Sequence, residues 1–264
     1  MRVVIAEDEM LERKAMRKFL EEHFHDIEIV GEAVNGRKAI ELAEEQKPDL
    51  MLMDIKMPGI DGLEAMERIS KAHPMIKFIV VSAYDSFRYA KQAMKFGVKE
   101  YILKPSNEGE AIRAILNVKK EIARDRQMNE NRRAFFLTKI MQGEEVHSLQ
   151  QSLFPDMKSG FFIAMNQTVP LPINYLQKGQ VALYISNEML DNAAVLTKVR
   201  TLQLQLGAHV YIGIGHPSSQ VGDLTNSYYE AKQALFQLVE AGQKKYGFPP
   251  LRKTEPDITP FFRA

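Results

Sequence analysis

Short apolar runs alternate with amphipathic stretches through the first 106 residues. Residues 3–6 are a compact run rich in β-branched side chains. Residues 10–23 follow, with Leu11, Ala15, Phe19 and Leu20 at helical spacing. A second strand is predicted over 27–33 and a second helix over 36–45, with Ala39, Ile40, Leu42 and Ala43 on its apolar face. Lys47-Pro48-Asp49 breaks that helix, and 50–53 is a continuous apolar run. A helix over 62–71, a strand over 78–81, a helix over 87–96 and a strand over 101–103 complete the pattern. With the helix after residue 106, strand and helix alternate five times. That order argues for a parallel sheet with helices on both faces. Strands that are apolar throughout, rather than at every second position, fit burial on both faces. In such a sheet the ligand site lies beyond the carboxyl ends of the strands.

The polar residues fall at those ends. Glu7 and Asp8 follow the first strand, Asp54 follows the third, Ser82 ends the fourth, and Lys104 ends the fifth, before Pro105. Clustered carboxylates offer hard oxygen ligands suited to Mg²⁺. Ser82 and Lys104 can donate hydrogen bonds to an anion. The chemistry implied is phosphoryl transfer to a carboxylate, with Asp54 as nucleophile.

These positions resemble the receiver domain of two-component response regulators. The resemblance rests on Glu7-Asp8, on Met53-Asp54-Ile55-Lys56-Met57-Pro58-Gly59-Ile60-Asp61-Gly62, on Ser82-Ala83 and on Lys104-Pro105, and covers residues 1 to about 120. It implies a flavodoxin-like (βα)5 fold, doubly wound around a five-stranded parallel sheet. It implies that Asp54 accepts phosphate from a histidine kinase. Mg²⁺ would be held by Asp8, Asp54 and the backbone carbonyl of Lys56, with Glu7 acting through water. Ser82 and Lys104 would contact the phosphoryl group, and Tyr101 would occupy the aromatic switch position. The bond before Pro105 is expected to be cis. Lys56 and Tyr84 lie where the family's hydrolytic water passes. A ring at Tyr84 and a cation at Lys56 are expected to slow autodephosphorylation. Gly59 and Gly62 most simply serve the turn before the third helix.

Beyond the receiver, taken as 1–118, no Gly or Pro interrupts the chain between Glu110 and Gln142. Ala111, Ile112, Ile115 and Leu116 supply an apolar face. The stretch over 119–133 is then polar except for Ile122 and Met128, until Ala134-Phe135-Phe136-Leu137 restores apolar character. A helix polar all round often bridges domains through solvent, so 119–142 is expected to be a connecting helix. Its basic residues are interleaved with acids and form no clean stripe for DNA. A coiled-coil seam would include Lys119, Arg126 and Arg133, a weak heptad.

Residues 143–246 start a new pattern, expected to be a smaller α+β domain. Strands are predicted over 161–165, 180–186 and 209–214. Helices are predicted over 187–206, with Asn187 as cap and Gly207 as stop, and over 224–243. Gly213-Ile214-Gly215, followed by Ser227-Tyr228-Tyr229-Glu230-Ala231-Lys232-Gln233-Ala234-Leu235, resembles the end of a degenerate nucleotide-cyclase-like domain. That domain occupies the middle of receiver regulators with an AraC-type helix-turn-helix output. The Gly-Gly-Asp/Glu-Glu-Phe signature of active cyclases is missing, as is a carboxylate pair, so catalysis is not expected. Residues 247–264, with Pro249, Pro250, Pro256 and Pro260, read as a linker or tail, and a DNA-binding domain is expected outside this chain.

Composition narrows these expectations. The 264 residues hold 35 basic and 34 acidic side chains, a net charge of +1. The balance is −2 over 1–106, +3 over 107–142 and zero over 143–264. A chain-wide nucleic-acid surface would need a basic excess, which is missing. The absence of cysteine excludes disulfides and thiolate chemistry. No apolar run approaches the ~18 residues that span a bilayer, and the N-terminal run is too short for a signal peptide. The expectation is a cytoplasmic response regulator, a phosphoacceptor rather than an enzyme, with no membrane contact. Its partners would be a histidine kinase and a second copy in a homodimer, and it would reach DNA only through a domain not present here. The alternative is a regulator without DNA-binding output, acting through phosphorylation-dependent protein contacts.

Overall fold

The computed structural model describes residues 1–83, 87–104, 107–242 and 244–250. The chain forms two compact units, Met1–Gln127 and Met128–Ala264. In the first, β1 (Arg2–Ala6), α1 (Met10–His23), β2 (Glu28–Ala33), α2 (Gly36–Gln46), β3 (Leu50–Met53), α3 (Gly62–Ala72), β4 (Lys77–Ser82), α4 (Phe87–Lys95) and β5 (Val98–Leu103) alternate before α5 (Glu108–Gln142). The sheet order is β2-β1-β3-β4-β5 and every pairing is parallel. This is the flavodoxin-like doubly wound arrangement.

The continuous apolar strands follow from burial on both sides. Val4, Met51, Met53, Phe78 and Val80 pack with Ala39, Leu42, Leu63 and Met66 of α2 and α3. Val3, Ile5, Leu50, Leu52 and Ile79 pack with Leu20 of α1 and Ile115 and Val118 of α5. Each large apolar side chain buried this way contributes about 1.5–3 kcal/mol. Asn35 caps α2 by accepting from the Lys38 N–H at 2.9 Å, and Asp61 caps α3 by accepting from the Glu64 N–H at 2.8 Å. α2 ends on Lys47 in the left-handed region (φ 45°), and Pro48 prevents its continuation.

In the second unit, α6 (His147–Leu153), β6 (Ser159–Met165), β7 (Tyr175–Lys178), β8 (Val181–Ser186), α7 (Asn192–Leu206), β9 (Ile212–Ile214), α8 (Leu224–Ala241) and β10 (Tyr246–Gly247) build a sheet of order β10-β9-β6-β8-β7. β9 and β10 are parallel and the other neighbours antiparallel. The central β6 is buried along its whole length. Phe161, Ile163 and Met165 face Val195, Val199 and Leu202 of α7, while Phe162 and Ala164 face Phe136, Ile140 and Ala231.

Several elements differ from the sequence expectation. α7 starts at Asn192, and its cap is Asp191 rather than Asn187; the Asp191 carboxylate accepts from the Ala194 N–H at 2.8 Å. Ser186 accepts from the Glu188 N–H at 3.1 Å, which holds the residues after β8 in a loop. β10 falls partly inside the expected tail, and Phe248 stacks on His216 with ring centroids 4.7 Å apart. Residues 251–264 lie outside the described residues.

α5 also departs from the picture of a solvent bridge. Val118 and Ile122 are buried in the first unit. Its charges pair with that unit too: Asp125 with Lys77 at 2.7 Å, Glu121 with Lys99 at 2.7 Å, and Arg126 with Asp49. The division between units falls at Gln127/Met128, inside the helix, and Phe136, Leu137 and Ile140 belong to the second unit's core.

Candidate functional site

The carboxyl edge of the first sheet is built by backbone bonds that run past the strand ends. Glu7 N–H donates to Ala33 O at 3.0 Å, Asp54 N–H to Ala6 O at 2.9 Å, and Lys104 N–H to Ser82 O at 2.9 Å. These bonds carry the ladder into the residues whose side chains matter. Two glycines hold the loop after β3 in place. A Cβ on Gly62 would lie 2.0 Å from Asp54 O, and one on Gly36 would lie 2.3 Å from Ile60 O. Gly59 has φ 77° with open space around it, so it serves the turn alone. Gly62 is required for close approach, not for an unusual dihedral. Gly36 had no expected role; only the contact across the loop reveals it.

Glu7, Asp8 and Asp54 converge, with one carboxylate oxygen from each within 4.8 Å of the other two. Glu7 and Asp54 are buried, and Asp8 is exposed. Burial pushes the Asp54 carboxyl above its ordinary range, against the opposing charge of Lys104 and a hydrogen bond from Ser82. Burial likewise raises Glu7, again against Lys104. Lys56 N–H donates to Asp54 Oδ2 at 3.0 Å, while its ammonium lies 5.3 Å from the centre of the Tyr89 ring. Lys104 Nζ donates to Glu7 Oε2 at 2.6 Å and also to Glu12 Oε2. Burial works against the Lys104 charge, but its bonds to Glu12 and Glu7 prevail and raise its pKa. Glu12 was not among the expected site residues; the cue was an acid in the first turn of the helix that follows Glu7-Asp8.

Tyr101 is half-buried on the α3–α4 side of the sheet, beside Val98. Both side chains reach that side because the β4–β5 register slips between Phe78 and Ile79, which pair with Val98 and Glu100. The slip inserts one residue and restores the parity that odd spacing would break. Tyr84 and Pro105 lie outside the described residues.

The donor set fits a hard divalent cation. Three carboxylates and one shared ammonium leave excess negative charge, with two of the acids desolvated. Next to it stand a hydroxyl donor and a cation, Ser82 and Lys104, suited to an oxyanion.

A doubly wound sheet with a desolvated aspartate facing a lysine at its carboxyl edge is the build of a phosphoacceptor receiver. The chain belongs to the response regulator receiver domain family, whose model matches residues 3–116. Members of this family are phosphoacceptors rather than classical enzymes, and they bind Mg²⁺ at an acidic pocket. The chain is 37% identical over 123 residues to the transcriptional regulatory protein YesN of Bacillus subtilis, covering 47% of this chain and 33% of YesN. It is 36% identical over 119 residues to the chemotaxis protein CheY of Thermotoga maritima, covering 45% of this chain and 98% of CheY. The solved receiver domain of AraT, a response regulator from Geobacillus stearothermophilus, is 32% identical. It covers 47% of this chain and 97% of that one, with a TM-score of 0.45. The match spans a third of YesN and about half, 52%, of a second Bacillus subtilis regulator, YhcZ. Among the described residues no helix is long and apolar enough to cross a membrane.

Proposed function

We propose that the chain is a two-component response regulator phosphorylated on Asp54 by a histidine kinase, and that phosphorylation controls transcription. The observation that carries this reading is the buried Asp54 carboxylate, desolvated beside Glu7 and faced by the Lys104 ammonium. One Asp54 oxygen attacks the phosphorus of a phosphohistidine. The N–P bond breaks as the O–P bond forms, and the imidazole leaves as a neutral ring after taking a proton. Bound Mg²⁺ would supply charge neutralisation for the transferring phosphoryl oxygens. Asp8, Asp54 and the Lys56 carbonyl would hold it, with Glu7 acting through water. Ser82 orients the Asp54 carboxylate by donating to it and then donates to the phosphoryl group. Lys104 supplies the positive charge.

The downstream event is a shift in a two-state equilibrium in which Ser82 and Tyr101 change partners and the α4–β5 surface repacks. That surface would govern homodimerisation or the relation between the units. Lys56 and Tyr84 are assigned to slowing autodephosphorylation. The second unit is read as a degenerate cyclase-like regulatory domain without catalysis. Its buried polar residues, Ser159, Ser186, Gln203 and Ser227, are all neutral, which supports that assignment among the described residues. Transcriptional control is read from relatives named as transcriptional regulators, and it would act through a DNA-binding domain beyond these two units. With a histidine kinase as its proposed partner, the protein is read as cytoplasmic.

The test is sedimentation of wild type and Asp54→Ala with and without a small phosphodonor and Mg²⁺. Wild type is expected to change its mass distribution and Asp54→Ala to stay unchanged. A response retained in Asp54→Ala overturns the assignment.

A further inference from the structure

Before any phosphoryl group arrives, the Lys104 ammonium is already shared between two carboxylates. It donates to Glu7 Oε2 at 2.6 Å and to Glu12 Oε2. The two acids differ in kind. Glu7 is 1% exposed and belongs to the carboxylate cluster. Glu12 stands on the first turn of α1, outside that cluster, with its side chain 41% exposed. Glu12 and Lys104 both line a cavity of about 320 Å³ whose other walls, Met16, Phe19, Val81 and Ile102 among them, are apolar except for Glu108.

We propose that Glu12 is a positioning residue that competes with the phosphoryl group for Lys104 and so sets how readily the receiver takes up phosphate. The inference rests on the reading of Asp54 as phosphoacceptor and adds to it a residue that the reading did not contain. A lysine ammonium has three N–H donors and no acceptor. Two of those donors are committed here, to Glu7 and Glu12. A phosphoryl group on Asp54 adds charge and strong acceptor oxygens, and Lys104 must be redirected to meet them.

The partner it gives up is decided by solvation. Releasing Glu7 would strand a buried carboxylate without its cation, which is costly. Releasing Glu12 returns a part-exposed carboxylate to water, which costs little. Exchange of Glu12 for the phosphoryl oxygens is therefore the low-cost path. The strength of the Glu12 contact is subtracted from the affinity of the phosphorylated state.

The experiment is an NMR titration with beryllofluoride and Mg²⁺, a stable stand-in for the phosphoryl group, on the full chain. Wild type, Glu12→Gln, Lys104→Gln and the double variant are compared. Glu12→Gln is expected to half-saturate at a concentration lower by about 1.5-fold to fivefold, the range for an ion pair with one partner in solvent. In the Lys104→Gln background the same change is expected to shift the midpoint little. An unchanged or higher midpoint in Glu12→Gln overturns the inference. So does an equal gain with Lys104 removed, because it would show plain charge repulsion rather than competition. No saturable response in wild type would instead overturn the phosphoacceptor reading itself, and this inference with it.

Discussion

The two sheets bury different kinds of polar group. The first buries Glu7, Asp54 and Ser82 together at its carboxyl edge. The second buries Ser159, Ser186, Gln203 and Ser227, and each is spent on backbone. Ser159 donates to Glu188 O at 2.6 Å, Ser227 accepts from the Phe162 N–H at 3.0 Å, and Gln203 donates to Gly207 O at 2.7 Å. A neutral hydroxyl tying a loop to a strand stabilises by about 1 kcal/mol. A desolvated carboxylate cluster does the reverse: it costs stability unless something cationic compensates. Buried carboxylates that cost the fold stability single out the carboxyl edge of the first sheet, whereas the second sheet's buried polar residues are neutral and bonded to backbone, with Gln203 Oε1 left without a partner among the described residues.

The sharpest way to break this contrast is to remove one group from each side. Asp54→Asn should abolish phosphoryl uptake, read as the mass shift after incubation with a small phosphodonor and Mg²⁺. Ser227→Ala should leave uptake unchanged and lower the stability of the second unit by about 1–3 kcal/mol, because the buried Phe162 N–H loses its acceptor. Equal loss of uptake in both would erase the distinction.

Metal addition is next in size. At a Mg²⁺ concentration a hundredfold above its dissociation constant, wild type should gain about 2.7 kcal/mol in thermal unfolding. Asp54→Asn should gain much less, and the second unit nothing.

The metal-free protein offers a pH test with a definite sign. The folded-state pKa of Asp54 is raised from its ordinary 3.8, chiefly by burial. The folded chain therefore holds more protons than the unfolded one between those two values, and stability falls as pH rises through that window. Asp54→Asn should be more stable than wild type at pH 7, and the gap should close as the pH falls toward 4. A gap that stays constant would show that Asp54 carries no burial penalty.

Packing and capping should act alike in both units, which sharpens the contrast by showing what is not special. A Cβ on Gly62 would meet Asp54 O at 2.0 Å, and one on Gly213 would meet Ala231 O at 2.1 Å. Alanine at either should cost roughly 1–3 kcal/mol in denaturant unfolding. Asp61→Ala and Asp191→Ala each remove a helix cap and should cost about 1 kcal/mol apiece.

Much of the first unit was legible in the residues because its determinants are local. Burial on both faces makes a central parallel strand a continuous apolar run, so 3–6, 50–53 and 78–81 were visible as such. A residue at or just past the end of such a run must sit at the carboxyl edge, so the positions of Glu7, Asp8, Asp54, Ser82 and Lys104 follow from the chain itself. The second unit was harder. β7 carries polar Gln177 and Lys178 and has no apolar run, and β10 is two residues long. Both exist only because a neighbouring strand offers its edge.

What the sequence determined by itself was therefore the order of elements in the first unit and the identity of the residues at its sheet's edge, since period and strand-end position are properties of the chain. Only the tertiary structure decided the rest. Glu12 became a partner of Lys104, residues 92 apart, because α1 begins beside the point where β5 ends. Gly36 and Gly62 became indispensable because a distant carbonyl occupies the space of a side chain. The charges of α5 became ion pairs because Asp49, Lys77 and Lys99 lie where that helix passes. Each of these depends on distance in space between residues far apart in the chain, which no local pattern encodes.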